Sequence, residues 1–360
     1  MIRLEPRGQH SQSMLYLSPL LAVALTLMFG LIVFAILGKD PVVALYTFFV
    51  MPLTTMLGVS ELLVKATPLV LIGIGLSMGF RANVWNIGAE GQLTIGAIFG
   101  GGLAIYFHDS DSLLLLPAMI IAGIFGGMIW AAIPAWLRTR FNANEILTSL
   151  MLSYVAVLLL SYLVHGPWRD PGGYNFPETR LFPDAGTLPM LISGTRVHLG
   201  GVFALLAVLT GWIILSKAVI GLQLRVVGLA PAAARFAGYD ENKLIWFSLL
   251  LSGGLAGLAG MSEVSGTIGQ LIPTISPGYG FTAIIVAFLG RLHPVGVLLS
   301  GLVLALTYLG GEMAQIEIGT PAAVTGLFQG ALLFFLLACD VLTNYRIRLG
   351  SSRSEQGGVA

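Results

Sequence analysis

Apolar runs of about twenty residues recur along this chain, and each is closed by charged residues, prolines or glycines. A hydrocarbon core of about 30 Å takes about 20 helical residues to cross. Backbone N–H and C=O groups inside it must bond to one another, so only helices and closed barrels can span it. Runs of this length in series therefore confine the chain to an all-α integral membrane protein. The proportions agree, with 56% hydrophobic and only 10% charged residues, against roughly 25% charged in soluble domains. Cys339 is the single cysteine and lies in the last apolar run, so an internal disulfide and a cysteine metal cluster are both excluded.

Ten spans emerge. They are Leu17 to Leu37, Leu62 to Phe80, Leu93 to Phe107, Leu113 to Leu137, Ile146 to Val164, Leu199 to Val219, Leu244 to Val264, Tyr279 to Leu289, Val295 to Gly311 and Ala322 to Leu342. Val42 to Ser60 is apolar but interrupted by Pro52, and reads as an interfacial or re-entrant piece. The first span follows Arg3, Arg7 and His10 as a signal sequence would, yet it is longer than the roughly 7–15 apolar residues of a cleaved signal and reads as an uncleaved span. This gives an N-terminal tail at 1–16, a transmembrane domain at 17–342 with an outer loop at 165–198 and an inner loop at 220–243, and a C-terminal tail at 343–360. With the N-terminus inside, 13 of the 18 lysines and arginines fall on the inner side and only Lys39, Lys65, Arg169, Arg180 and Arg196 on the outer. That asymmetry is the positive-inside rule, and it puts both termini in the cytoplasm.

One stretch breaks the apolar pattern. RANVWNIGAEGQLTIGAIFGGG, from Arg81 to Gly102, is too polar for a lipid-facing helix and lies between two spans. Polar groups at that depth persist only where protein or a water-filled cavity surrounds them. A helical course through it puts Asn83, Asn86 and Glu90 on one face. These groups either satisfy one another and neighbouring backbone carbonyls or meet a polar solute. Trp85 could stack on a flat ring or anchor at an interface. Glu90 needs a partner or a task, because an isolated carboxylate there costs several kcal/mol; Arg81 is one possible partner. Splitting ten spans into two halves makes the second span correspond to the seventh, each followed by a glycine-rich break, ISPGYGFTAIIVAFLG in the later half. Paired breaks in two inverted five-helix repeats point to a translocation site.

The inner segment GLQLRVVGLAPAAARFAGYDENK predicts a short helix from Pro231 to Ala237, with proline suited to the first turn and Gly238 as a stop. Arg235 and Phe236 would be its grip, either on the membrane surface or in a partner's groove. No Walker-type G-x-x-x-x-G-K-[ST] occurs, and the five histidines are scattered. Nothing in the chain supports an enzyme.

Five strings, NVWNIGAEGQLTIGA, NANEILTSLMLSY, GPWRDPGG, GLQLRVVGLAPAAARFAGY and SGGLAGLAG, in this order, resemble permease subunits of bacterial ABC importers. The likeness is to the branched-chain amino acid and simple-sugar permease superfamily. Within it, the strings resemble the nucleoside and simple-sugar branch that works with lipoproteins of the basic membrane protein type. It covers roughly Thr67 to Gly311 and implies a type II ABC importer-like fold in the bacterial cytoplasmic membrane. The implied partners are a cytoplasmic ATPase that carries the ATP and Mg, an extracytoplasmic solute-binding lipoprotein and a second permease forming a heterodimer with this chain. No cofactor of its own and no nucleic acid is implied.

By the same resemblance Asn83, Trp85, Asn86, Glu90 and Gln92 lie by the pathway, joined from the second half by Tyr279 and Phe281. The loop around Trp168 to Glu178 would face the binding protein. Arg225, Pro231, Ala233, Arg235, Phe236 and Gly238 would contact the ATPase, although APAAA stands where relatives often carry an acidic residue. The solute implied is a nucleoside, with a simple sugar or other small polar solute as the alternative. An ion-coupled secondary carrier with Glu90 as proton site is the reading from a different class.

Overall fold

The computed structural model describes residues 2–6 and 12–349, with side chains placed from Leu17 to Leu342. The rest of the two expected tails, residues 1, 7–11 and 350–360, lies outside the described residues. The chain divides into two compact units, residues 1–50 with 311–360, and residues 51–310.

In the first unit, β1 (Ile2–Pro6) pairs antiparallel with β2 (Tyr345–Leu349), so the expected all-helical chain carries one short ribbon between its ends. Helix α1 (Gln12–Ile36) packs on α13 (Ala323–Asn344) and on α2 (Pro41–Phe49). Asp40 caps α2 by accepting from the N–H groups of Val42 and Val43, the donors that a helix start leaves unbonded. Phe34, Phe48 and Phe328 form the core of this unit, with Phe48 and Phe328 stacked at 4.7 Å between centroids.

The second unit begins with a single 3-10 turn, Met51–Leu53, and continues as α3 (Met56–Arg81), α4 (Ala89–Tyr106), α5 (Leu115–Phe141) and α6 (Glu145–His165). After the long outer loop come α7 (Gly200–Lys217), α8 (Val219–Leu229), α9 (Pro231–Phe236) and α10 (Glu241–Glu263), which runs on as a π turn, Val264–Ile268. Helices α11 (Tyr279–Leu289) and α12 (Pro294–Ile318) follow, the division between units falling within α12. The apolar piece at 42–60 thus resolves into α2, the 3-10 turn and the first residues of α3.

Eight described helices are long and apolar enough to cross a membrane, not ten. The two that fall short are the expected third and eighth spans. Helix α4 carries Glu90, Gln92 and five glycines within its 18 residues. Helix α11 has 11 residues, about 16 Å, half a hydrocarbon core. Both are also the helices that follow a break.

At the centre of this unit α10 packs against α3, α4 and α5. Gly253 and Gly257 on α10 meet Gly123 and Gly127 on α5 so closely that a Cβ on Gly127 would lie 2.1 Å from the Gly253 carbonyl oxygen. Small residues four apart are how helices approach where no hydrophobic effect drives them together.

Candidate functional site

The first break is real and it is not helical. Helix α3 stops at Arg81 and α4 starts at Ala89. Asn83 takes a left-handed conformation, φ 56°, which asparagine tolerates better than other side-chain-bearing residues. The N–H groups of Ala82 and Val84 turn back to the carbonyl of Gly79, closing the helix end. The expectation that Asn83, Asn86 and Glu90 share one helical face is therefore corrected. The left-handed turn sends Asn83 to the surface, while Asn86 and Glu90 go inward.

Each group then finds its own partner. Asn83 Oδ1 accepts from Trp85 Nε1 at 2.9 Å, and the half-buried Trp85 ring stacks on Phe288, which stacks on Phe80. Asn86 and Gln92 exchange amide hydrogen bonds at 2.8 and 3.0 Å. Asn86 also donates to Ser252 of α10 and accepts from the N–H of Gly88. Two serines of α6 take backbone donors, Ser149 from Ile87 in the break and Ser153 from Gly91 in the first turn of α4. Glu145, paired with Arg138, accepts from the N–H of Trp85.

Glu90 leaves α4 altogether. Its Oε2 accepts from the N–H of Gly280, in the first turn of α11, at 2.6 Å, and the Ser276 side chain stands beside its carboxylate. Ser276 Oγ itself accepts from the N–H groups of Gly278 and Tyr279. The partner is thus the start of α11 and not Arg81, which instead donates to the Leu292 carbonyl. A carboxylate is well placed there, because the unbonded donors and dipole of a helix start carry partial positive charge. Gly280 sits so tightly on α4 that a Cβ would lie 2.2 Å from the Glu90 nitrogen. Tyr279 is buried edge-on against Tyr308, whereas Phe281 is partly exposed.

The second break, residues 269–278, is held by the outer loop. Thr179 and Leu271 bond reciprocally through their backbones and the Thr179 hydroxyl, Phe182 N–H donates to the Gly269 carbonyl, and Gln270 bonds Glu178. The buried His198 packs between Gly200 and Gly266, accepts at Nδ1 from the Gly200 N–H and meets Thr267 at Nε2. Burial pushes its pKa down to about 4.

On the other loop, α9 occupies the expected short helix and Gly238 ends it at φ +77°. Pro231, Ala233 and Arg235 are exposed, and Phe236 is 98% exposed. Arg225 lies on α8 and donates to the Leu215 carbonyl. Among the described residues no three His, Cys, Asp or Glu side chains come close enough to hold a metal ion.

Sequence reasoning passed over Ser149, Ser153, Ser252, Ser276, Gly280 and Thr179. The pair of serines four apart in LTSLMLSY was the one available signal, since it puts two hydroxyls on one face of an otherwise apolar span. Ser252, Ser276, Gly280 and Thr179 act on residues nearly a hundred or more positions away, which no local pattern shows.

A bundle of membrane-length helices with two interrupted pairs, α3–α4 and α10–α11, defines a polytopic transport-type membrane protein. The chain belongs to the family described as branched-chain amino acid transport system / permease component, which it matches over residues 58–337. It is thus a non-catalytic membrane subunit of an ABC transporter. A glucose ABC transporter permease of Haloferax volcanii is 38% identical over 98% of this chain and 95% of its own length. A guanosine ABC transporter permease of Bacillus subtilis is 31% identical over 84% of this chain and 85% of its own. A nucleoside ABC transporter permease of Lactococcus lactis is 25% identical over 89% and 90%.

Proposed function

We propose that this chain is the permease of an importer that carries nucleosides across the cytoplasmic membrane, driven by a separate ATPase. The observation that carries the transport reading is the pair of interrupted helices meeting at Glu90 and Gly280. A discontinuity in each half of the chain, joined inside the bundle, is where a carrier can change shape without exposing unbonded backbone to lipid. The guanosine and nucleoside permeases among the relatives support the solute class. The more similar glucose permease favours a second reading, import of a simple sugar.

Asn83, Trp85 and Phe281 are the pathway candidates within reach of the surface. Asn86, Glu90, Gln92 and Tyr279 would act from inside the bundle by holding the breaks. The inner end of the machine would be α9. With Ala234 buried beneath it, α9 presents Arg235 and Phe236 outward, and a bare phenylalanine beside an arginine is the composition of a docking anchor. An ATPase holding ATP and Mg would seat there, with a second permease beside the chain and a binding lipoprotein at the loop from Trp168 to Glu178. Closure of the ATPase around ATP would then move α9 and switch the two permeases between outward and inward openings.

Uptake of labelled nucleosides and of labelled glucose, in cells lacking the gene and in complemented cells, tests the solute. Nucleoside uptake that is lost, restored by complementation and uncompeted by glucose is expected; a defect in glucose uptake alone would transfer the reading to sugar. Arg235→Glu is expected to abolish solute-stimulated ATP hydrolysis in the assembled transporter while membrane insertion stays normal. Undiminished stimulation in that variant would remove α9 from the contact.

A further inference from the structure

Helix α8 is placed by its ends. Helix α7 is 18 residues long, about 27 Å, close to the thickness of a hydrocarbon core. It ends at Lys217, and α8 begins two residues later at Val219. A Cβ on Gly221 would lie 2.2 Å from the Ile214 carbonyl oxygen, and one on Gly228 would lie 2.0 Å from the Arg81 carbonyl oxygen. One face of α8, with Leu224 and Val227 buried, is thereby pressed across the last turns of two spanning helices, α7 and α3. A helix bridging the ends of two spans is expected in the membrane surface, at the depth of the lipid headgroups.

Its other face is an unusual one for water. Val219, Leu222 and Leu229 are exposed by 69%, 53% and 81%, and Arg225 lies among them, also exposed. Arg225 stands within electrostatic reach of Arg81, and its Nη2 reaches the Leu215 carbonyl at the end of α7. Lys217 sits 6.0 Å from the centroid of the Trp212 ring. The ion pairs among the described residues engage other cations. Arg81 and Arg225 bond carbonyls and Lys217 faces an indole, so none of the three is neutralised by a carboxylate.

Two guanidinium groups within electrostatic reach of each other, and an ammonium at the adjoining end of α7, none of them in an ion pair, stand beside a stripe of aliphatic side chains and match one kind of molecule: an anion that also carries acyl chains. We propose that the outward face of α8, with Lys217 and the Arg81–Arg225 pair, binds the phosphate headgroup of an anionic phospholipid. The acyl chains would lie along Val219 and Leu222. This assigns Arg225 to the membrane and leaves α9 alone for a soluble partner, and it holds whichever solute is carried.

The test is native mass spectrometry of the full-length chain in mild detergent with equal amounts of phosphatidylglycerol and phosphatidylcholine. The wild type is expected to retain phosphatidylglycerol at least fivefold over phosphatidylcholine, falling as salt is raised. Arg225→Gln and Lys217→Gln should each weaken that retention about fivefold, the effect of one basic residue at a charged lipid surface. Arg140→Gln, an exposed arginine on α5, should leave it unchanged, and circular dichroism checks that each variant is folded. If Arg225→Gln fails to fold, Lys217→Gln carries the test alone.

Equal retention of the two lipids by the wild type, or an equal loss in Arg140→Gln, would overturn the proposal. So would displacement of phosphatidylglycerol by millimolar inorganic phosphate, which would make the site one for free phosphate. Displacement by an added ATPase subunit would give this face to the ATPase instead. Because lipid retention is read without transport, failure of the nucleoside reading leaves this result standing, and the converse.

Discussion

The two breaks do the same job by opposite means. The first, residues 82–88, is satisfied by side chains: its own Asn83 and Asn86, with Trp85, Gln92 and Gly88, and the serines Ser149 of α6 and Ser252 of α10, 62 and 166 positions away. The second, residues 269–278, depends on an outer loop some ninety positions away, through Glu178, Thr179 and Phe182. The difference teaches that a break buried among helices can bring its own amides, whereas one nearer the surface borrows backbone from a loop. Glu90, in the turn of α4 that follows the first break, bonds the start of α11, which follows the second.

Variants can break this comparison, beginning where it is tightest. Gly280→Ala puts a methyl group against the α4 backbone, and backbone cannot give way as a side-chain tip can. The expected loss is about 3 kcal/mol, the upper part of the overpacking range, read as a lowered thermal midpoint in detergent; Gly326→Ala, with open space around it, should be neutral. Glu90→Ala comes next. It strips the acceptor from the buried Gly280 N–H, and leaving a buried donor unmet costs about 2 kcal/mol. Glu90→Gln keeps an acceptor oxygen and should recover most of that loss. Equal midpoints for the two variants would show that the contact is charge and not hydrogen bonding.

Acid should reach the second break before the first. His198 adjoins the π turn leading into it, and its pKa is held at about 4 in the folded chain, below the roughly 6.5 of an unperturbed histidine. From pH 6.5 down to about 4 the unfolded chain takes up a proton that the folded one refuses, so stability falls with falling pH in that window and levels off below it. The slope is at most about 1.4 kcal/mol per pH unit, and thermal midpoints of His198→Gln across this range should lack it. Thr179→Val is the mildest change. It removes the hydroxyl that accepts from the Leu271 N–H while leaving the backbone pairing in place, for about 1 kcal/mol or less. Faster hydrogen exchange at residues 269–271, with none at 82–88, would show that the loop holds the second break alone.

Much of this was legible in residue order, for reasons that differ by place. A lipid-spanning helix must be apolar along its whole length, so α1, α5, α6, α7 and α13 announced themselves, and α11 was found at its bounds, the loop with Pro273 and Pro277 marking where it starts. The short helix α9 was legible from Pro231 and Gly238. Helix α8 was not, since its apolar residues face both inward and outward and the sequence cannot show which of them the ends of α7 and α3 cover. The shared face of Asn83, Asn86 and Glu90 failed at a single residue, when Asn83 adopted a left-handed turn that the flanking helical pattern did not require.

Sequence by itself determined the solvent this protein lives in, the positions of its interruptions and its family, because each is a property of composition and spacing along one dimension. Only the tertiary structure decided what those interruptions bond to. Glu90 could have turned to Arg81, nine residues away; it turned instead to a helix start 190 positions on. A buried carboxylate goes where unbonded donors converge, and that convergence exists only after α11 has packed on α4.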